Sequence, residues 1–194
     1  MNKIISLFLI LFLILLLVAC TPNKKITKAK SWQLNQESST LAIITTKNDK
    51  ISEVSEFTRF KGSISQSNYL SIEVDLSSLE TNIPIRNERI GKHLFETSLY
   101  PTADIHTQLK AEDLTSGVHE ITFDIDLHGV SGILKAEFMV FNQNSKKIIT
   151  LHKPLIINAD VFGLTQGITT LKNIAKLQSI DFTVPVHLVL TFEP

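Results

Sequence analysis

The stretch Ile180-Asp181-Phe182-Thr183-Val184-Pro185-Val186-His187-Leu188-Val189-Leu190-Thr191-Phe192 carries an apolar side chain at every even-numbered position. The odd-numbered positions hold Asp181, Thr183, Pro185, His187, Val189 and Thr191, a mostly polar set. Successive side chains of a β-strand point to opposite faces, so the pattern predicts one long strand with a wholly apolar face. Pro185 lacks an N–H and predicts an edge position, a bulge or a local gap in pairing. The same period recurs upstream, where Ile121, Phe123, Ile125 and Leu127 alternate with Thr122, Asp124, Asp126 and His128. It recurs again where Leu134, Ala136, Phe138 and Val140 alternate with Lys135, Glu137, Met139 and Phe141. Between these two runs Gly129-Val130-Ser131-Gly132 reads as a turn.

Shorter versions occupy the rest of the chain. Ile72, Val74 and Leu76 alternate with Ser71, Glu73 and Asp75; Leu41 and Ile43 form a brief run; Phe57 to Ile64 is less regular around Gly62. Ile105 and Leu109 bracket another candidate, and residues 147–151 and 155–158 supply two more. About eight to nine short strands separated by turns read as an antiparallel barrel or a sandwich. Closing the sheet removes exposed edges that an open one must protect. Two stretches depart from period two. Residues 85–95 place Ile85, Arg86, Arg89, Ile90, His93 and Leu94 at near-helical spacing before Tyr100-Pro101, and residues 168–177 place Ile168, Leu171 and Ile174 along one side. Both predict short helices, so the fold class is all-β with minor α.

The N-terminus has a different character. Met1-Asn2-Lys3 supplies a positive start, and Ile4 to Ala19 is apolar apart from Ser6. That is the layout of an export signal, with the alternatives of an uncleaved span or a plain secretory signal. Leu17-Val18-Ala19-Cys20 resembles a bacterial lipobox. The resemblance implies cleavage after Ala19, a diacylglyceryl thioether on Cys20 and an N-acyl chain such as palmitate on the new terminus. Two or three chains anchor a protein stably in a membrane, each buried methylene adding about 0.8 kcal/mol. Residues 1–19 are therefore expected to be a lipoprotein signal peptide, and residues 20–31, rich in Thr, Asn and Lys, a lipidated tether. Residues 32–194 form the barrel domain. Thr21 follows the cysteine where an Asp would retain the protein at the inner membrane. The expected location is the bacterial cell envelope, on the periplasmic face of the outer membrane in a two-membrane cell.

Charge and cysteine count narrow the function. Lys and Arg number 19 and Asp and Glu 19, so no cationic excess exists to neutralise phosphates along a nucleic acid. One cysteine cannot form an internal disulfide or a paired thiol metal site.

Further residues carry a family likeness. Leu76-Ser77-Ser78-Leu79-Glu80-Thr81, Ile85-Arg86-Asn87-Glu88-Arg89-Ile90, Leu94-Phe95 and Tyr100-Pro101-Thr102-Ala103 occur in that order. They are followed by Asp126-Leu127-His128-Gly129-Val130 and by Asn158-Ala159-Asp160-Val161-Phe162-Gly163-Leu164. Together with looser matches at Trp32-Gln33-Leu34, Ser39, Phe57, Phe60 and Gly62, these resemble the YceI-like family over residues 31–194. The resemblance implies an exported, lipocalin-like antiparallel β-barrel with one or two short helices. In some relatives its elongated apolar cavity holds a polyisoprenoid chain, such as an isoprenoid quinone or a prenyl phosphate. This chain departs from the family pattern at Asn87, where Asp is usual, and at Arg89-Ile90, where His-Leu is usual.

A prenyl tail needs a deep apolar lining, which period-two strands supply from one face of a barrel. The expected ligand-binding side chains are Ile72, Val74, Ile121, Phe123, Ile125, Phe138, Val140, Phe182, Val184 and Val186, unless these same residues simply fill the interior. Arg86 and Arg89 suit a phosphate or carbonyl head group at a cavity mouth; alternatively Arg86 pairs with Glu88 or a neighbouring carboxylate and pins the helix. The six histidines have neither i, i+4 helical pairing nor HExxH spacing, and are expected on solvated strand faces and loops. No nucleophile elbow, phosphate loop or dinucleotide glycine pattern is present. No enzymatic activity, metal or cofactor is expected. A rival reading is an envelope interaction protein with a packed barrel and no small-molecule ligand.

Overall fold

A computed structural model describes residues 31–194. The export signal, Cys20 and all but the last residue of the tether lie outside the described residues. In chain order the elements are β1 (Trp32–Leu34), β2 (Thr40–Lys47), β3 (Ile51–Phe57), β4 (Phe60–Ile64), β5 (Tyr69–Asp75), β6 (Leu79–Glu80), α1 (Pro84–His93), β7 (Thr102–Gln108), β8 (Gly117–Leu127), β9 (Val130–Gln143), β10 (Lys146–Leu151), β11 (Leu155–Asn158), α2 (Thr165–Ile174) and β12 (Thr183–Glu193).

Several of these strands are halves of one bent stave. β1 and β2 are joined through a short 3-10 turn at Gln36–Ser38, β3 and β4 through Thr58-Arg59, and β5 and β6 through a 3-10 turn at Leu76–Ser78. β10 and β11 share one edge of β12, pairing with Val189–Phe192 and Thr183–Val186 respectively. Counted this way, the chain makes eight antiparallel staves, each beside its sequence neighbours. The last closes on the first, since β12 pairs with β2 from Val186 to Val189 and with β1 at Phe192 and Glu193. The alternatives of barrel and sandwich resolve into a closed barrel with no free edge round the ring.

Polar side chains hold the bends. Gln36 Nε2 donates to the Thr58 carbonyl (2.6 Å) and its Oε1 accepts from the Phe60 N–H (3.3 Å), tying the first two staves at their corners. Arg59 donates to Asp75 Oδ2 and Ser77 Oγ (both 2.9 Å), tying the second to the third. These corners are why residues 57–64 look irregular in sequence: the alternation restarts at Phe60 after two residues outside the ladder.

Three expectations shift in detail. The β8–β9 turn is only His128-Gly129, both with positive φ (+54° and +74°), and Val130 already pairs with Leu127. Gly132 lies in the ladder, opposite Ile125. Its missing side chain makes room for Phe162, whose ring would sit 3.0 Å from an added Cβ. The final strand begins at Thr183 rather than Ile180. Ile180 makes an isolated bridge to Lys47, and Asp181 N–H donates to the Thr46 carbonyl (2.9 Å) as the chain crosses from α2 to the sheet. Pro185 pairs with Ile156 on one side, while β2 pairing starts only at Val186, so the missing donor meets a local gap. The two helices fall close to the expected spans, α2 starting three residues earlier.

Candidate functional site

The inward parity of the staves encloses a cavity of about 600 Å³. Its wall is Leu41 and Ile43 from β2, Phe57 from β3, Ile72 and Val74 from β5, Ala103 and Ile105 from β7, Ile121, Phe123 and Ile125 from β8, Leu134 and Phe138 from β9, and Val184 to Leu190 at alternate positions of β12. Of the side chains expected from sequence to meet a ligand, Ile72, Val74, Arg86, Arg89, Ile121, Phe123, Ile125, Phe138, Val184 and Val186 line this cavity. Val140 and Phe182 do not line it. Val140 has the inward parity but is fully buried near the far end of β9, in a packed floor with Ile64 and Phe192. Phe182 precedes β12, in a bend, and packs against the core instead.

The floor is sealed by a cation. Lys147 is paired with inward-facing Phe192 and is 8% exposed. Its Nζ donates to the Leu114 carbonyl and to Asn142 Oδ1 (2.8 Å each) and lies 4.7 Å from the centre of the Trp32 ring. A desolvated ammonium held by two oxygens over an indole face closes the base without leaving a polar group unsatisfied.

The opposite end is open and charged. There Glu53, on the inner face of β3, accepts from Lys47 Nζ (2.7 Å) and Arg86 Nη1 (2.8 Å). The Lys47 hydrogen bond is the largest influence on Glu53 and, with the positive field of Arg86, holds its carboxyl below the usual range against the opposing effect of burial. Arg86 is thus pinned, by Glu53 of the barrel wall and not by its helical neighbour Glu88. Arg89, one turn on, is exposed and makes no ion pair or hydrogen bond among the described residues. Its side chain is among those that line the cavity.

Local chemistry fixes α1 across this mouth. Pro84 stands in the first turn, where a missing N–H costs nothing. Asn87 Oδ1 accepts from Thr81 N–H (3.0 Å) and Thr81 Oγ1 (2.6 Å), while its Nδ2 donates to Glu80 Oε1 (2.9 Å). Asn87 therefore staples α1 to β6 and does not line the cavity. α2 packs against the end of α1 through Gly167, where an added Cβ would come within 2.6 Å of the His93 carbonyl oxygen.

One histidine departs from the solvated setting expected of it. His128, at the β8–β9 turn, has a side chain 13% exposed, lies 3.0 Å from Glu96 Oε2 and packs its ring at a tilt against Tyr100, 4.6 Å between centres. It fastens the loop after α1 to the barrel. Among the described residues no group of three or more His, Cys, Asp and Glu is placed to hold a metal ion. The sequence reading missed Lys47 and Glu53. The signal was there: continuing the parity of Phe57 back through Ser55 puts Glu53 inside the barrel, where a carboxylate requires a partner.

The family profile of the YceI-like domain matches residues 32–192. The chain belongs to the YceI-like family. Among solved structures, a polyisoprenoid-binding domain from Saccharophagus degradans, implicated in plant cell wall breakdown, is 31% identical, with a TM-score of 0.80 over 84% of this chain and 97% of that one. That solved chain is almost wholly the unit described here, so a YceI-like barrel folds without a further domain. Burkholderia cenocepacia BcnA shares the fold at 13% identity and TM-score 0.64, over 81% of this chain and 98% of its own. The Campylobacter jejuni YceI protein shares it at 15% identity and TM-score 0.50, over 70% and 82% respectively. No curated protein sequence matches the chain.

Proposed function

We propose that this YceI-like chain is a non-enzymatic envelope lipoprotein that holds a polyisoprenoid lipid, with the prenyl tail inside the barrel and the head group between Arg86 and Arg89. The observation that carries the reading is the cavity: about 600 Å³, walled mainly by aliphatic and Phe side chains from every stave, with Lys47, Glu53, Arg86 and Arg89 among the charged residues that line it. A prenyl chain gains from burial along its whole length, and a mostly aliphatic and aromatic wall, broken within the barrel by few polar side chains such as Ser55 and Thr107, suits it better than a polar substrate. The 31% identity to a polyisoprenoid-binding domain supports the same class of ligand. At the mouth, Arg86 is already engaged by Glu53, so Arg89 supplies the free guanidinium for an isoprenoid quinone carbonyl or a prenyl phosphate. Lipidation of Cys20 and a tether over residues 20–31 would hold the barrel at the periplasmic face of the outer membrane.

The test is titration of delipidated residues 32–194 with a long-chain isoprenoid quinone and with a prenyl phosphate of matched length. One of the two binds, and Arg89→Gln weakens the phosphate about tenfold or more while sparing the quinone. Failure of both ligands would shift the reading to an interaction protein that does not use its cavity. The anchor is tested separately by labelling cells with radioactive palmitate: the wild-type chain incorporates label and Cys20→Ser does not.

A further inference from the structure

Four isoleucines stand in water around the cavity mouth. Ile83, Ile85 and Ile174 line the cavity yet are 40%, 50% and 39% exposed, and a side chain that does both stands at the opening. Ile51, half exposed, is cross-strand from Lys47, which also lines the mouth. Single exposed apolar residues are ordinary on a protein surface, but these four come from the start of α1, the end of α2 and the β2–β3 hairpin and meet at one opening.

Charge is distributed unevenly around them. The three segments that form the mouth, residues 45–53, 83–90 and 171–181, carry six Lys and Arg against four Asp and Glu. The other described residues carry eight against fifteen. One of the four acids at the mouth, Glu53, is bound by two of the cations. Lys50 and Lys176 are exposed, and Lys172 half-exposed, beside the isoleucines. The barrel is therefore an acidic body with a basic, apolar-tipped mouth.

We propose that this mouth docks on an anionic phospholipid membrane, the isoleucines entering the head-group layer and Lys50, Arg89, Lys172 and Lys176 meeting the phosphates. Apolar side chains ringed by cations are the interfacial combination that binds such surfaces, and the acidic remainder of the barrel is repelled, which fixes the mouth-down orientation. Docking goes beyond the lipid-holding reading and does not depend on it. If the cavity does carry a prenyl chain, seating its mouth in lipid spares the chain a passage through water.

The test is flotation of residues 32–194 with vesicles of phosphatidylcholine alone and of phosphatidylcholine with phosphatidylglycerol. The barrel floats with the anionic vesicles, falls off as salt is raised, and binds neutral vesicles far more weakly. Replacing Lys50, Lys172 and Lys176 by Gln, none of which lines the cavity, lowers anionic-vesicle binding about fivefold for each cation removed. Ile51→Ser lowers it further. Equal binding to both vesicle types, or undiminished binding by the triple Lys→Gln variant, overturns the proposal. So does absence of flotation together with a concentration-dependent dimer, which would make the isoleucine rim a contact between copies. Lipid retention is read on the same samples by organic extraction. Flotation with an empty cavity contradicts the lipid-holding reading alone, and a filled cavity without flotation contradicts docking alone.

Discussion

The base and the mouth of the barrel are made from the same alternating strands, yet one is closed by packing and the other is open and edged by exposed ions. At the base Ile64, Val140 and Phe192 are completely buried, and the Lys147 ammonium is desolvated and held by two oxygens and a ring. At the mouth Lys47, Glu53 and Arg86 form a bridge that remains a quarter to a third accessible, and Arg89 is open to water. Interactions of the first kind are strong because they cannot be replaced by solvent; those of the second are weak and exchangeable. The base is therefore built for stability, and under the proposed function the mouth supplies selectivity. Substitutions at the two ends should separate these properties.

The largest effect belongs to the floor. Phe192→Ala leaves a void in a layer with no spare mobility and lowers unfolding free energy by about 3–5 kcal/mol in a denaturant titration. A loss near zero would mean that the floor is not packed. Next comes Lys147→Met, which takes the Lys147 donor from Asn142 Oδ1 and leaves the Leu114 carbonyl with the Asn142 Nδ2 donor (3.1 Å), and which costs about 1–3 kcal/mol, with retention of bound lipid unchanged in the folded protein. Gly167→Ala probes the other end: its Cβ would meet the backbone of His93 and Leu94 at 2.6 and 2.8 Å, so α2 must move off α1. The stability cost is about 1–3 kcal/mol, and the sharper readout is faster release of ligand, since the displaced helices frame the mouth.

The smallest effect is a pH dependence. The Glu53 carboxyl is held below its ordinary range chiefly by the Lys47 hydrogen bond. A lowered folded-state value means that its contribution is complete above the ordinary carboxylate range and is lost as pH falls through the folded value. With the side chain 35% exposed, that contribution is about 0.2–1 kcal/mol. Glu53→Gln should therefore cost little at neutral pH and flatten the acid side of the stability profile. An unchanged acid slope would show that the bridge does not hold the mouth.

The same contrast explains what the sequence could reveal. Strand parity identified the lining because a barrel wall repeats one local rule, and Ile72 to Val186 obey it. It could not register depth: Val140 has the parity of Phe138 but lies in the floor, and nothing in the pattern marks where a cavity ends. Nor does it register where a strand stops: Phe182 has the parity of the lining but precedes the ladder, which begins one residue later at Thr183. The corner residues Thr58 and Arg59, and the pairing of Arg86 with Glu53 across 33 positions, depend on tertiary contacts that no local period encodes. Gly132 reads as a turn residue and is instead required by the Phe162 ring. Lipidation of Cys20 lies outside the described residues and rests on the sequence alone.

The proposed function requires that a prenyl lipid occupy the cavity in the cell. Native mass spectrometry of residues 32–194, exported to the periplasm without the lipid anchor and followed by organic extraction, tests it directly. A discrete added mass that leaves as an apolar isoprenoid molecule is the expected result; a bare chain mass from several expression hosts, unchanged after challenge with isoprenoid lipids, would contradict the proposed function.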